Sequence, residues 1–234
     1  ETEEFFYHEG LVHPAAIALD APRSALIVGG GDGGALEELL KHPVENVTLV
    51  DLDEDVIKVS REHLQSINKG AFDDPRVTVH IGDGAQFVAQ TDQRFDLVLL
   101  DLTDPETPAG PLYTEAFFQQ CKGVLNPGGA IVLHLGTPFH EPGQVSGLAG
   151  SLRNVFEHVS AYGLHIPLYG SYWALAVASD TLQPASLTPE QVQQRIDERG
   201  ITDLQYYNDA VHGALFALPN YYRRLVDVEE AVHG

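Results

Sequence analysis

Apolar runs rich in β-branched residues recur along the first two-thirds of the chain, separated by stretches with helical periodicity. The runs Ala25–Val28, Val47–Asp51, Val77–Ile81, Phe95–Asp101 and Ala130–Leu135 predict strands. Gly34–Lys41, Glu54–Ser66 and Tyr113–Val124 read as helices between them. Alternation of this kind argues for a parallel sheet with helices on both faces, and near-continuous apolar strands suit a sheet buried on both sides. Asn126-Pro127-Gly128-Gly129 predicts a turn before the fifth strand. A Gly- and Pro-rich loop after Leu135 leads to a helix from about Val145 to Phe156, then to strands over His158–Ile166 and Tyr172–Ala178. Ser179–Pro189 reads as a polar connector, and residues 190–199 and 208–231 as helical, with Pro219 opening the last helix. The expected architecture is one α/β domain over residues 1–234, a seven-stranded, mostly parallel sheet. Residues 1–20 lead into it and 180–234 form a helical C-terminal part.

Several predicted strands end on acids or glycines. Gly29-Gly30-Gly31-Asp32-Gly33-Gly34 follows the first strand and opens the first helix, where glycines let backbone turn sharply and approach a ligand. Asp32 in that turn is a poor neighbour for a pyrophosphate but can bind an amino group. The second strand ends in Asp51-Leu52-Asp53, where an acid commonly bonds ribose hydroxyls. The third ends at Gly82-Asp83-Gly84, where an acid can accept from an adenine amino group. Together these imply an adenosine without phosphates. The fourth strand ends in Asp101-Leu102-Thr103-Asp104-Pro105. Two carboxylates there suit a cationic substrate, or a nucleophile that must lose a proton. Asp101 and Asp104 also read as turn residues.

Composition narrows the partners. The 234 residues carry 34 Asp plus Glu against 13 Lys plus Arg, a formal charge of −21. Such a surface repels nucleic acid and steers a polycation inward, although charge also serves solubility. No apolar run approaches a membrane span, and the acidic start lacks the shape of a signal peptide. The lone Cys121 excludes a disulfide framework and a thiolate cluster, reads as a core thiol, and points to the cytoplasm. His8 and His13 lack a third clear ligand, so no metal is expected. Methionine is absent, position 1 included, which leaves room for an upstream segment. Asn46-Val47-Thr48 matches a glycosylation signal but runs into a buried strand.

These features resemble the polyamine aminopropyltransferases, the spermidine synthase family. The resemblance rests on Tyr7–Pro14, Gly29–Gly34, Leu49–Val56, Gly70–Arg76, Gly82-Asp83-Gly84, Asp101–Pro105 and Tyr206-Tyr207-Asn208, and runs from about Glu1 to Leu225. It implies a Rossmann-like fold of the S-adenosylmethionine-dependent type. The implied reaction moves an aminopropyl group from decarboxylated S-adenosylmethionine to a small cationic amine, releasing methylthioadenosine, with no tightly bound cofactor. By position, Asp101 matches the catalytic acid and Asp32 an acid on the aminopropyl or polyamine amine. Asp51 stands where the family usually has Glu on the ribose. Asp83 and Gly84 match adenine contacts, and Pro108 a proline lining the thioadenosine pocket. Tyr7, His8, Asp104 and Tyr169 match amine-site residues. A homodimer or homotetramer is implied.

The chain departs from the family pattern in several places. The small N-terminal β-domain usually found before the segment matching Glu1–Tyr7 is lacking; it supplies a glutamine to the nucleoside site and often part of the oligomer interface. Leu102 replaces Ser or Cys, Thr107 a Gly in the lid loop, and His134 a Gln near the amine. Asp51, Leu102 and His165–Trp173 resemble the branch that uses agmatine or longer polyamines, while Tyr206-Tyr207-Asn208 resembles ordinary spermidine synthases. Putrescine is the expected acceptor, with agmatine or a longer polyamine as alternative. A methyltransferase and a non-catalytic polyamine- or nucleoside-binding relative are the other readings. Tyr169 and Trp173 read either as core aromatics or as amine-site residues. Tyr206 and Tyr207 read as packing or as pocket lining.

Overall fold

A computed structural model describes residues 3–227. One sheet of seven strands organises the chain: β1 (Ser24–Gly29), β2 (Asn46–Asp51), β3 (Val77–Ile81), β4 (Phe95–Asp101), β5 (Leu125–Gly136), β6 (His158–Ile166) and β7 (Ser171–Ser179). Their order is β3-β2-β1-β4-β5-β7-β6. The first five run parallel, and β7 joins β5 and β6 in antiparallel pairs.

The interiors of β1, β2 and β4 are buried throughout, so their apolar runs feed a separate core on each face. One core packs under α1 (Phe5–Ala18), α2 (Gly34–Leu40) and the C-terminal α8 (Pro189–Arg199) and α9 (Asp209–Leu215). The other packs under α5 (Gly84–Gln90), α6 (Glu115–Gly123), α7 (Pro142–Val155) and α10 (Asn220–Val226). The short α3 (Glu54–His63) and α4 (Gln65–Asn68) lie between β2 and β3. Helix starts are fixed by the side chains expected to cap them. Asp53 accepts from Asp55 and Val56 N–H, Asp83 from Ala85 and Gln86, and Thr188 forms a reciprocal capping box with Gln191.

Several expectations are corrected. Residues 1–20 contain a full helix, α1, buried from Tyr7 to Ala18 on every side. A helix enclosed all round shows no polar stripe in its sequence. Helix α5 was not expected. The predicted helix 54–66 breaks at Leu64, whose backbone leaves the helical region while the Asn68 amide takes the Ser60 and Leu64 carbonyls. Tyr113 sits in a 3-10 turn, and α6 begins after Thr114. Asn126–Gly129 is no turn. It runs within β5 as an irregularity in the β4–β5 register, with Gly128 at φ 84° and Asn126 bonded to Asp96. The stretch 208–231 divides into α9 and α10, and its residues 228–231 lie outside the described residues.

The last helices also hold α1 in place. Arg195 donates to the Ile17 and Ala18 carbonyls, and Arg199 to those of Ala16, Leu19 and Asp20. Two guanidinium groups thus satisfy orphan carbonyls at the end of α1. The buried Glu9 carboxylate accepts the N–H groups of Gln205, Tyr206 and Tyr207.

Candidate active site

The strand order reverses between β1 and β4, where ligands bind in open α/β sheets. Gly29, the last residue of β1, pairs directly with Asp101, the last of β4. Gly30 N–H donates to the Asp101 carbonyl at 2.9 Å. Gly30 has φ 68°, and a side chain there would start 2.9 Å from Asp101 Oδ2. Glycine is needed for the backbone path and for the approach of the carboxylate.

Helix α1 brings two more groups to this point. The Tyr7 hydroxyl donates to Asp101 Oδ1 at 3.0 Å. His8 lies with Nδ1 2.7 Å from Glu4 Oε2 and Nε2 3.3 Å from Asp32 Oδ2. Its ring packs against Gly34, where a Cβ would sit 2.2 Å from the imidazole. Asp32 also accepts from Gly34 N–H at 2.9 Å.

The charges settle accordingly. Burial opposes the His8 cation, but the hydrogen bonds it donates to Asp32 and Glu4, with the charges of Asp32 and Asp101, raise its pKa to about 10. His8 is an imidazolium at neutral pH. Burial opposes ionisation of Asp32, and the His8 hydrogen bond and charge overcome it, holding the carboxyl below its ordinary value. Asp101 goes the other way. Burial and the Asp32 charge push it to about 6, against the pull of His8 and the Tyr7 hydroxyl. Burial, then the Asp101 charge, keeps Tyr7 protonated far above its usual range. The pair therefore holds a carboxylate ready to take a proton beside a phenol that only donates.

His8, Asp32 and Asp101 place donor atoms within 4.8 Å of one another. Both His8 nitrogens are committed as donors to carboxylates, so the trio is better suited to an ammonium than to a metal ion, which needs a bare nitrogen.

One cavity of about 1090 Å³ gathers these groups. Asp51, Asp83, Gly84 and Pro108 line it as well. One oxygen of Asp51 accepts from Asp53 N–H and one of Asp83 caps α5, which leaves the second oxygen of each for a ligand. Leu52, Val56 and Ala85 supply apolar wall. Asp104, Tyr169, Trp173 and His134 also border it. The ten residues that the resemblance matched to site roles therefore all border a single space. Tyr206 and Tyr207 do not: the Tyr206 ring lies tilted against Phe6, and Tyr207 is buried with its hydroxyl on His212 Nδ1. Asp104 also forms a turn, its carbonyl accepting from Thr107 N–H at 3.0 Å.

Sequence reasoning missed Glu4 and Tyr113. The spacing of Glu4 and His8, i to i+4, would have paired them had α1 been read as a helix. No local signal joins Tyr113 to His134 across 21 residues. Cys121 is buried in the second core, its thiol pushed up to about 12 by burial, and does not line the cavity.

The sheet and its acid-lined rim define a Rossmann-like nucleoside-binding domain of the S-adenosylmethionine-dependent transferase type. Human methyltransferase-like protein 13, solved with SAH, shares this fold at TM-score 0.63 and 21% identity, over 86% of this chain and 95% of that one. The spermine/spermidine synthase domain matches residues 4–187, and the chain belongs to that family. The polyamine aminopropyltransferase of Nitrosomonas europaea is 44% identical over 227 residues, 97% of this chain and 70% of that protein. A spermidine synthase solved with the transition-state analogue AdoDATO superposes at TM-score 0.89 with 35% identity, over 97% of this chain and 76% of that one.

Proposed function

We propose that this protein is a polyamine aminopropyltransferase that moves an aminopropyl group from decarboxylated S-adenosylmethionine to an amine, with putrescine as acceptor and methylthioadenosine as the other product. The observation that carries the reading is the placement of Asp101, at a pKa of about 6 and bonded to Tyr7, at the end of β4 where it lines the cavity. The sulfonium is already a good leaving group. The amine is the difficulty, because a nitrogen with a pKa near that of lysine costs about 4.6 kcal/mol to deprotonate at pH 7. Asp101 takes that proton and aims the lone pair at the carbon beside sulfur. The N–C bond forms as the C–S bond breaks, and the electron pair leaves on sulfur as neutral thioether. Holding both partners in line supplies a further large share of the rate.

Asp32 and Asp104 are assigned to ammonium groups that stay charged. Asp51 is assigned to the ribose, Asp83 and Gly84 to adenine, and Pro108 to the thioadenosine wall. Tyr7, His8 and Tyr169 orient the amine side. We further propose that the enzyme works in the cytoplasm, where its single buried thiol suits a reducing compartment, as a homodimer or homotetramer. The test is product analysis by mass spectrometry, with decarboxylated cofactor and putrescine, cadaverine, agmatine and spermidine in competition. Spermidine as main product supports the full reading. Another aminopropylated amine corrects the acceptor, and no aminopropylated product with any amine removes the activity.

A further inference from the structure

Between Asp101 and Asp104 the backbone leaves the sheet, and two successive carbonyls, those of Leu102 and Thr103, need partners off the ladder. They find them on Tyr113 and His134. The Tyr113 hydroxyl lies 3.0 Å from the Thr103 carbonyl and 2.6 Å from His134 Nε2. His134 Nε2 also lies 3.0 Å from the Leu102 carbonyl. A carbonyl can only accept, so the directions are fixed. Nε2 carries the imidazole proton and shares it between the Leu102 carbonyl and the Tyr113 oxygen, and the Tyr113 hydroxyl donates to the Thr103 carbonyl. Burial, working against weaker pulls from the Leu102 carbonyl and Asp104, keeps the His134 pKa below its ordinary value. The ring is neutral, and Nδ1 is left buried without a partner. The ring is wedged between Tyr113 and Trp173, at centroid distances of 5.5 and 5.8 Å.

We propose that His134 and Tyr113 are positioning residues. They clamp the Leu102 and Thr103 carbonyls and thereby fix where Asp104 stands relative to Asp101, which sets the grip on the distal ammonium of the acceptor. The inference rests on the aminopropyl-transfer reading but goes beyond it, since neither residue needs to touch substrate. Asp104 itself is exposed, and beyond this clamp its turn is held by Thr107 alone among the contacts described. Loosening the clamp acts on the second carboxylate. On the proposed reading the cosubstrate is assigned to other strand ends, those of β2 and β3.

The test compares Tyr113→Phe, His134→Leu and His134→Gln in steady-state kinetics, varying amine and cosubstrate separately. Y113F removes one hydroxyl and frees the Thr103 carbonyl. It should raise the amine KM about tenfold, with the cosubstrate KM within about twofold of wild type. H134L should do the same, and the double variant should be no worse than the worse single, because His134 reaches Thr103 through Tyr113. A glutamine amide keeps two N–H donors, so H134Q should recover most of the loss. It also serves if H134L melts early. An unchanged amine KM in Y113F overturns the clamp while leaving the activity intact. So does a shift in both KM values together. If H134L and H134Q change the preference among amines and Y113F does not, His134 touches the amine directly and the clamp is again overturned. If wild type forms no aminopropylated product, the activity reading falls, and this inference with it.

Discussion

The hydroxyl of Tyr7 donates to Asp101 Oδ1 at 3.0 Å, joining the first helix to the end of the fourth strand across 94 residues. That bond favours the ionised carboxylate, while burial and Asp32 oppose it, and the balance leaves Asp101 at about 6. Removing the donor tips the balance further up. Tyr7→Phe should move the acid limb of the kcat/KM profile to higher pH. Hydrogen bonds to charged groups contribute about 1.5–3 kcal/mol, so turnover at neutral pH should fall roughly tenfold to a hundredfold. A pH–rate series on both proteins measures this. An acid limb that stays in place would mean that the bond does not tune the base.

Asp101→Asn tests the base itself. The backbone carbonyl that binds Gly30 is unchanged, and the new amide oxygen can still accept from Tyr7. The fold and methylthioadenosine binding should survive, and turnover should drop by roughly 10²–10⁴, the usual share of a positioned general base. Calorimetric binding alongside product assays separates the two effects. Near-normal turnover would remove the proposed base.

Most of this rim could be read from the chain because each acid ends or closely follows a strand: Asp51 and Asp101 close β2 and β4, and Asp32 and Asp83 stand in the turns after β1 and β3. Asp32, Asp51, Asp83 and Asp101 needed only the rule that parallel strands end at the ligand. What could not be read depended on full burial or on long-range contact. Helix α1 carries His8, Glu9 and His13 within an enclosed face, so its sequence lacks the polar stripe that marks surface helices. With α1 unread, the pairing of Glu4 with His8 stayed hidden, and with it the reason His8 is a cation. The Asn126–Gly129 turn signal was overridden by pairing: Phe95 opposes Leu125, and the Asn126 amide is taken by Asp96, so the glycines bend β5 without ending it. Tyr206 and Tyr207 looked equally suited to pocket and core. The buried Glu9 carboxylate draws their backbone inward and decides for the core.

Arg199 links the C-terminal helices to the site. It donates to the carbonyls of Ala16, Leu19 and Asp20 and to His42 Nδ1. Arg199→Ala leaves several half-buried acceptors without donors, a cost of about 2–4 kcal/mol. At roughly 2–4 °C per kcal/mol for a chain of this size, Tm should fall by about 5–15 °C. Thermal melts by circular dichroism measure this. A loss below about 1 °C would mean that α1 is held by its apolar packing alone.

His8 predicts a pH dependence of stability whose sign is opposite to that of an ordinary salt-bridged acid. Its folded pKa of about 10 lies above the unfolded value of 6.5, because Asp32 and Glu4 hold the imidazolium against the cost of burial. A group raised on folding contributes its full stabilisation below the unfolded pKa, and loses it as pH climbs through the folded one. The window is therefore pH 6.5 to about 10. Across it, at about 1.4 kcal/mol per unit, His8 accounts for at most about 5 kcal/mol. His8→Gln keeps one donor but cannot carry the charge. The stability difference between wild type and H8Q should be largest near pH 6 and shrink steadily toward pH 10. Urea unfolding at a series of pH values reads the difference directly. Parallel curves through that window would show that His8 is neutral in the folded protein.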